Sequence, residues 1–262
     1  MAETKISFDA ADDYERFMGR WSRAIGENFL TWLEPPAGAR WLDVGCGTGA
    51  FSELILRRCA PKSVTGIDPA PAQIEYVRKR LPGSTFEVED SMTMPFGDGA
   101  FDIVASALVF HFIPDRAKAF AEMHRVLRSG GLVAGYTWKR TASADFAPYA
   151  PLMAGVKSIG GELVMSPLVA EGSHEGMRAS LAAAGFADIA TNEIEVTRAF
   201  RDFDEYWDVQ CIPFSPPGRT IAKLSEAQRI KLRDVMRERM TPGADGSITH
   251  AATAMAGRGR KL

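Results

Sequence analysis

Gly45, Gly47 and Gly49, followed at a distance by Asp68 and Asp90, are the residues whose types and spacing best suit chemistry. The glycines come directly after the apolar run Trp41 to Val44, and a helical pattern starts at Ala50. A turn without side chains lets a nucleoside ligand lie against bare backbone. The run Val64 to Asp68 ends on a carboxylate about 20 residues past that turn, and Phe86 to Asp90 ends on a second one a similar distance on. Two strands that stop on acids give such a ligand two acceptors beside the glycines. The competing reading of the turn is a nicotinamide-dinucleotide site, whose fingerprint is Gly-x-Gly-x-x-Gly. Here the third glycine comes one residue early, Ala50 and Phe51 follow it, and the dinucleotide pattern has no counterpart for Asp90.

These residues need a scaffold, and the chain supplies one by alternation. Tyr14, Phe17, Met18, Trp21, Ile25, Phe29 and Trp32 recur at three- and four-residue steps, which predicts an amphipathic helix over 12–33, stopped by Pro35 and Pro36. Strand and helix patterns then take turns. The strand around Leu42 leads to a helix with Phe51, Leu54 and Ile55 on one face. The strand at Val64 leads to a helix with Ile74, Val77 and Leu81 inward. After the strand at Phe86 comes another, Phe101 to Ser106, then a helix capped by Asp115 and ended by Gly130 and Gly131, with a fifth strand from Leu132 to Tyr136. Such alternation predicts a parallel sheet with helices on both faces and a ligand beyond the carboxyl ends of its strands. Past Trp138 the pattern loosens over 139–173 and again over 201–245. Between them Met177, Leu181 and Ala184 predict a helix ended by Gly185, and Ile189 to Phe200 alternates like a strand. Ser225 and Gln228 have capping-box form, and Ser247 to Met255 reads as the last strand.

At 262 residues, one elaborated α/β domain is the expectation. The net charge of −2 argues against a broad nucleic-acid footprint, and the basic end Arg258 to Lys261 reads as a solvated tail. No apolar run approaches the ~20 residues of a membrane span, and the first residues lack a signal-peptide pattern. Cys46, Cys59 and Cys211 form neither a paired framework nor a metal cluster, so a cytoplasmic, reducing location is expected.

The glycine turn, the two acids, the run Asp90 to Phe96, the run Phe101 to Leu108 and the run Arg125 to Gly131 together resemble the class I S-adenosylmethionine-dependent methyltransferases. Within them the sequence is most similar to the small-molecule group that includes the ubiquinone and menaquinone biosynthesis enzymes. The resemblance covers 38–138. It implies a Rossmann-like, doubly wound, seven-stranded sheet, mostly parallel with an antiparallel last strand, while the loose stretches 139–173 and 201–245 read as helical lid insertions because extra segments at a sheet's carboxyl edge shape substrate pockets. It further implies a single domain over 1–262, with the helix 12–33 over the site. Carried over by position, Gly45 and Gly47 pass under the methionyl part of S-adenosylmethionine, and Asp43 orients the turn or meets the amino group through water. Asp68 takes the ribose hydroxyls. Asp90 takes the adenine amino group, with the Ser91 and Met92 backbone nearby, and Ser106 lies near the methionyl amine. Apart from the resemblance, the stripe Tyr14, Phe17 and Trp21 suits either core packing or a helix closing over the cofactor, in which Arg20 or Tyr14 would reach its carboxylate or sulfonium end.

His111, just after the fourth strand, is the candidate general base; the plainer alternative is a histidine bonded to a helix end. Cys46 invites a nucleophile reading, but no histidine stands at close spacing, and a small packed residue is the expectation. His124 falls beside the apolar face of its helix and reads as structural. The aromatic group Phe200, Phe203, Tyr206, Trp207 and Phe214 suits either a core or the lining of a greasy pocket. The function these readings support is methyl transfer to a small organic acceptor by in-line displacement, with no metal, no nucleic-acid or membrane partner, and a monomer or homodimer. The alternatives are a nucleic-acid or protein methyltransferase and a non-catalytic cofactor-binding module. The first lacks both a basic track and the Asn/Asp-Pro-Pro-Tyr/Phe motif, since Ser106 to Val109 stands where that motif would fall.

Overall fold

The computed structural model describes residues 13, 15–140, 147–163, 165, 168–213 and 215–262. The expectations for Tyr14 and Phe214 therefore lie outside the described residues. The chain groups into two compact units. One, the sheet unit, comprises Ser22–Thr141, Leu168–Glu195 and Thr253–Leu262; the other, the helical unit, comprises Met1–Trp21, Ala142–Pro167 and Val196–Ala252.

Seven strands make one sheet: β1 (Arg40–Val44), β2 (Ser63–Asp68), β3 (Thr85–Val88), β4 (Phe101–Ala107), β5 (Leu127–Trp138), β6 (Ala187–Phe200) and β7 (Ile248–Arg260). Their order is β3-β2-β1-β4-β5-β7-β6. The first five pair in parallel, and β7 runs antiparallel to β5. The order reverses beside β1, where β2 lies to one side and β4 to the other, so the carboxyl end of β1 opens at a switch point.

Helix α1 (Arg20–Leu33) follows a short π-helical turn, Glu15–Gly19. Its Ile25, Phe29 and Leu33 are fully buried. The Phe29 ring stands 4.9 Å from Tyr136 of β5 and 5.9 Å from Phe51 of α2 (Ala50–Arg58). Gly26 permits this approach, because a Cβ there would stand 2.6 Å from Leu54. Helix α3 (Pro71–Arg80) begins with proline, whose fixed φ suits a first helical turn. Helix α4 (Arg116–Val126) starts at Asp115, whose carboxylate accepts from the Lys118 amide at 3.0 Å. Its Phe120, Met123 and Val126 join Leu42, Val104 and Val133 of the sheet in the main apolar core.

Around β5 and β7 the sheet unit differs from expectation. Helix α4 ends at Val126 rather than at Gly130 and Gly131, and Leu127 already pairs with Phe101 of β4. The glycines form a bulge inside β5, after which pairing resumes at Ile103 and Leu132. Gly130 has a φ of 73°, and a Cβ on Gly131 would meet the Leu127 side chain at 2.8 Å. The second difference is the basic end, which is the closing part of β7 and not a solvated tail. The Arg258 guanidinium donates to the Leu33 carbonyl at 3.1 Å and lies over the Trp32 ring. The Lys261 ammonium donates to the carbonyls of His124 and Leu127, both at 2.8 Å, satisfying groups that a helix end leaves open.

Helix α5 (Ala150–Ser158) lies in the stretch that reads as irregular in sequence. Helix α6 (His174–Ala183) is capped by Ser173. The second loose stretch carries α7 (Phe203–Gln210), α8 (Pro216–Ile221) and α9 (Glu226–Arg239). The capping box of α9 forms as expected, with Ser225 and Gln228 bonding reciprocally. In the helical unit α9 packs on α5, where Gly155 leaves room for Leu232 and Met236.

Candidate functional site

Where β1 stops, Gly45, Gly47 and Gly49 all take positive φ, at 76°, 51° and 83°. Their needs differ. A Cβ on Gly45 would lie 2.5 Å from Val109, and one on Gly49 would lie 2.3 Å from Val77 of α3. A Cβ on Gly47 would meet nothing within 4 Å. Gly45 and Gly49 are thus fixed by packing, whereas Gly47 presents open backbone.

Asp68, the last residue of β2, organises this turn. One carboxylate oxygen accepts from the Gly47 amide at 3.1 Å, and the other from the Ala70 amide at 2.9 Å, just before α3. The turn is also tied to β2 by the Gly45 and Cys46 amides, which both donate to the Ile67 carbonyl. Burial pushes the Asp68 pKa up, and the two amides oppose it.

Asp43 sits within β1 and is fully buried. Its Oδ2 accepts from the Ser52 hydroxyl of α2 at 2.6 Å, while its Oδ1 has no partner. Burial pushes this carboxyl up to about 7, the Ser52 hydrogen bond working against it and the Asp68 charge with it. An orphaned carboxylate oxygen in a buried place is costly unless a donor arrives.

Strand β3 ends at Val88, so Asp90 lies two residues beyond it, in a turn rather than at the strand's last position. Its side chain accepts from the Met92 amide at 2.8 Å, and Asp90 itself is exposed. Ser91 and Met92 are half-buried beside it. The Glu89 amide donates to the Asp68 carbonyl at 3.3 Å, which keeps this turn next to β2. The acids of β1 and β2 and the acid after β3 therefore follow three neighbouring parallel strands at their carboxyl side.

The fourth strand closes the other flank. The buried Ser106 hydroxyl donates to the Val44 carbonyl at 3.0 Å and ties the end of β4 to the end of β1. Leu108 follows with a φ of 60°, an uncommon conformation for a leucine, and its amide donates to the Tyr136 carbonyl. That strained residue was not legible in sequence, because nothing about a leucine signals positive φ. His111 lies in the short 3-10 turn Phe110–Phe112. Its Nδ1 is 3.5 Å from the Thr137 hydroxyl, and burial, aided by Arg140, pushes its pKa down to about 4.

Arg20 belongs to the helical unit, where its exposed guanidinium is 3.6 Å from Glu205. Cys46 packs with Ile74, Val77 and Phe86, and burial pushes its thiol well up, the opposite of an activated nucleophile. His124 packs edge-on against Phe186. Among the described residues no cluster of metal-ligating side chains occurs, and no helix is long and apolar enough to cross a membrane.

Comparison with known proteins bears on the same region. A family described as a methyltransferase domain matches residues 42–135. The chain is 35% identical over 127 residues to a malonyl-[acyl-carrier protein] O-methyltransferase of Serratia marcescens, covering 48% of this chain and 46% of that one. It is 34% identical over 108 residues to the 2-methyl-6-phytyl-1,4-hydroquinone methyltransferase of a Synechocystis strain, covering 40% and 34%. The chain spans about half the length, or less, of these curated relatives. A crystal structure of a methyltransferase from Bacillus halodurans, assigned as such only provisionally, shares the fold with a TM-score of 0.58 at 16% identity, over 88% of this chain and 96% of that one.

Proposed function

We propose that the protein is a class I S-adenosylmethionine-dependent methyltransferase, in which residues 42–135, the part that matches a methyltransferase-domain family, hold the cofactor, and that it transfers a methyl group from this cofactor to a small organic acceptor. The observation that carries the reading is the row of Asp43, Asp68 and Asp90 around an open glycine backbone. Two features favour a fit to this cofactor: the buried Asp43 oxygen without a donor, and the empty space over Gly47. When bound, S-adenosylmethionine supplies a methyl group on a sulfonium, open to in-line displacement.

The roles of the chain's own residues follow from their geometry. Asp68 keeps lone pairs beyond those used by the Gly47 and Ala70 amides, and these accept the ribose hydroxyls. Asp90, with the backbone of Ser91 and Met92, receives the adenine amino group. Asp43 takes the methionyl amino group, directly or through water, at its orphaned oxygen. Ser106 holds the end of β1 in place and so positions Gly45 beneath the methionyl part. His111 is neutral above about pH 4, so it holds a proton poorly. An acceptor atom served by such a group arrives already deprotonated, or needs no base. The named activities of the Serratia and Synechocystis relatives, on an acyl-carrier-bound malonyl group and on a hydroquinone, support an acceptor of small organic type.

Calorimetry with S-adenosylmethionine tests the cofactor assignment. Wild type binds, and Asp68→Ala binds about 10- to 100-fold more weakly, the loss expected for charge-assisted hydrogen bonds. Absence of binding by wild type, or unchanged affinity in the variant, would refute it. Release of S-adenosylhomocysteine with an acceptor panel then separates an enzyme from a binding module.

A further inference from the structure

The chain leaving β4 contains one residue whose backbone is out of keeping with its type. Leu108 is buried and holds φ at 60°, in the left-handed region that a Cβ disfavours. Asparagine or aspartate can offset that cost with a local side-chain hydrogen bond; leucine has none to offer. Such a conformation persists only where its surroundings over-determine it, and it gathers at functional sites.

Leu108 and its neighbours are pinned on both sides. Toward β5, the Leu108 amide donates to the Tyr136 carbonyl at 2.8 Å. The Phe110 ring occupies the space over Gly135, where a Cβ would stand 2.7 Å from it, and lies 5.2 Å from the Phe120 ring of α4. Toward β1, the Ser106 hydroxyl holds the Val44 carbonyl, and the Val109 side chain sits directly over Gly45. A Cβ on Gly45 would come within 3.0 Å of three Val109 carbons. Rotation about φ of Leu108 leaves its own amide in place and swings everything after it. A right-handed or extended φ would therefore keep the bond to Tyr136 and carry Val109 off Gly45. Gly45 is held from the other direction as well, since its amide donates to the Ile67 carbonyl of β2 at 2.8 Å. Two residues on, the Gly47 amide meets Asp68. The open backbone of the turn thus has β2 on one side and Val109 on the other.

We propose that Leu108 and Val109 form a latch for the glycine turn: the strained Leu108 backbone seats Val109 against Gly45 and keeps the turn in the shape that receives S-adenosylmethionine. Both are positioning residues that act through Gly45, and neither is assigned a contact with the cofactor. The inference rests on the methyl-transfer reading for the identity of the ligand, while the latch itself rests on the contacts of Leu108 and Val109.

Calorimetry with S-adenosylmethionine and hydrogen exchange over 45–49, both on the full chain, test it. Val109→Ala binds the cofactor about 3- to 10-fold more weakly, and exchange over 45–49 rises. Val109→Thr keeps the branched shape and rescues both. Leu108→Gly and Leu108→Ala each remove the isobutyl group, but only glycine relieves the left-handed backbone. Leu108→Gly therefore melts higher than Leu108→Ala and, because it frees Val109, binds more weakly. A residue that serves stability alone would rank the two variants alike in both measurements. Should the Leu108 variants fail to fold, the Val109 pair decides. A wild type that binds no S-adenosylmethionine sinks the cofactor reading alone, and exchange over 45–49 in Val109→Ala then decides the latch. Unchanged exchange in that variant, unchanged affinity beside a wild type that binds, no rescue by Val109→Thr, or Leu108→Gly binding as tightly as Leu108→Ala would each overturn the proposal.

Discussion

Asp43 and His111 give the sheet unit opposite responses to pH at the scale of single residues. The folded-state pKa of Asp43 is raised to about 7, so its contribution is fully present below the ordinary carboxylate range and is lost as pH rises toward 7. That of His111 is depressed to about 4, so its contribution is present above its ordinary value near 6.5 and is lost as pH falls toward 4. Melting temperatures recorded from pH 4 to 8 should show Asp43→Asn gaining on wild type as pH rises; a constant gap would contradict a buried protonated carboxyl. His111→Gln should gain on wild type as pH falls through the same window. The glycines divide in a second way. Gly49→Ala forces a Cβ against Val77 at positive φ and should cost roughly 1–3 kcal/mol of stability by denaturant unfolding. Gly47→Ala meets no protein atom, should cost only about 1–2 kcal/mol of backbone strain, and should still impair cofactor binding. The glycines and Asp68 were legible in sequence because a bare turn and a strand-ending acid leave a spacing signature. Ser52 as the partner of Asp43 was not, since a serine in a first helical turn has many equivalent uses.

Among the elements, Arg125 of α4 governs the chain after β3. Its guanidinium donates to the carbonyls of Phe96 and Met94 and to Glu122 and Asp98, while Glu122 accepts from the Met94 amide. These carboxylates hold Arg125 firmly charged. Arg125→Ala should loosen the segment that carries Asp90 to Met92 and weaken S-adenosylmethionine binding severalfold without contacting it. Calorimetry on the variant checks this, and hydrogen exchange over 89–98 should rise in parallel. The alternation of strands and helices through Trp138 was readable, because period-two and period-3.6 patterns survive in buried elements. The Gly130–Gly131 bulge was misread, since paired glycines end helices and interrupt strands with the same composition. Residues 256–260 also escaped, because a strand of Ala, Gly and Arg carries no hydrophobic alternation; its partners, not its own side chains, specify it.

For the whole molecule, ligand binding and folding are linked. At a free concentration about 100 times its Kd, S-adenosylmethionine should add about 2.7 kcal/mol of stability, visible as a rise in melting temperature of several degrees. No rise would argue against binding to the native state. Cys46, Cys59 and Cys211 are unpaired, so a reductant should leave the melting curve unchanged. The sheet's topology was anticipated in class and strand number; the division into two units was not, because each unit gathers three separated stretches of chain that share no local pattern.

Strand β7 is threaded between β5 and β6 although it follows both in the chain. A ribosome therefore releases β6 well before its neighbour exists, and β5 waits with one bare side. The nascent polypeptide must keep two sticky borders apart until its last strand emerges, which makes this interval the one where a chaperone has most to protect.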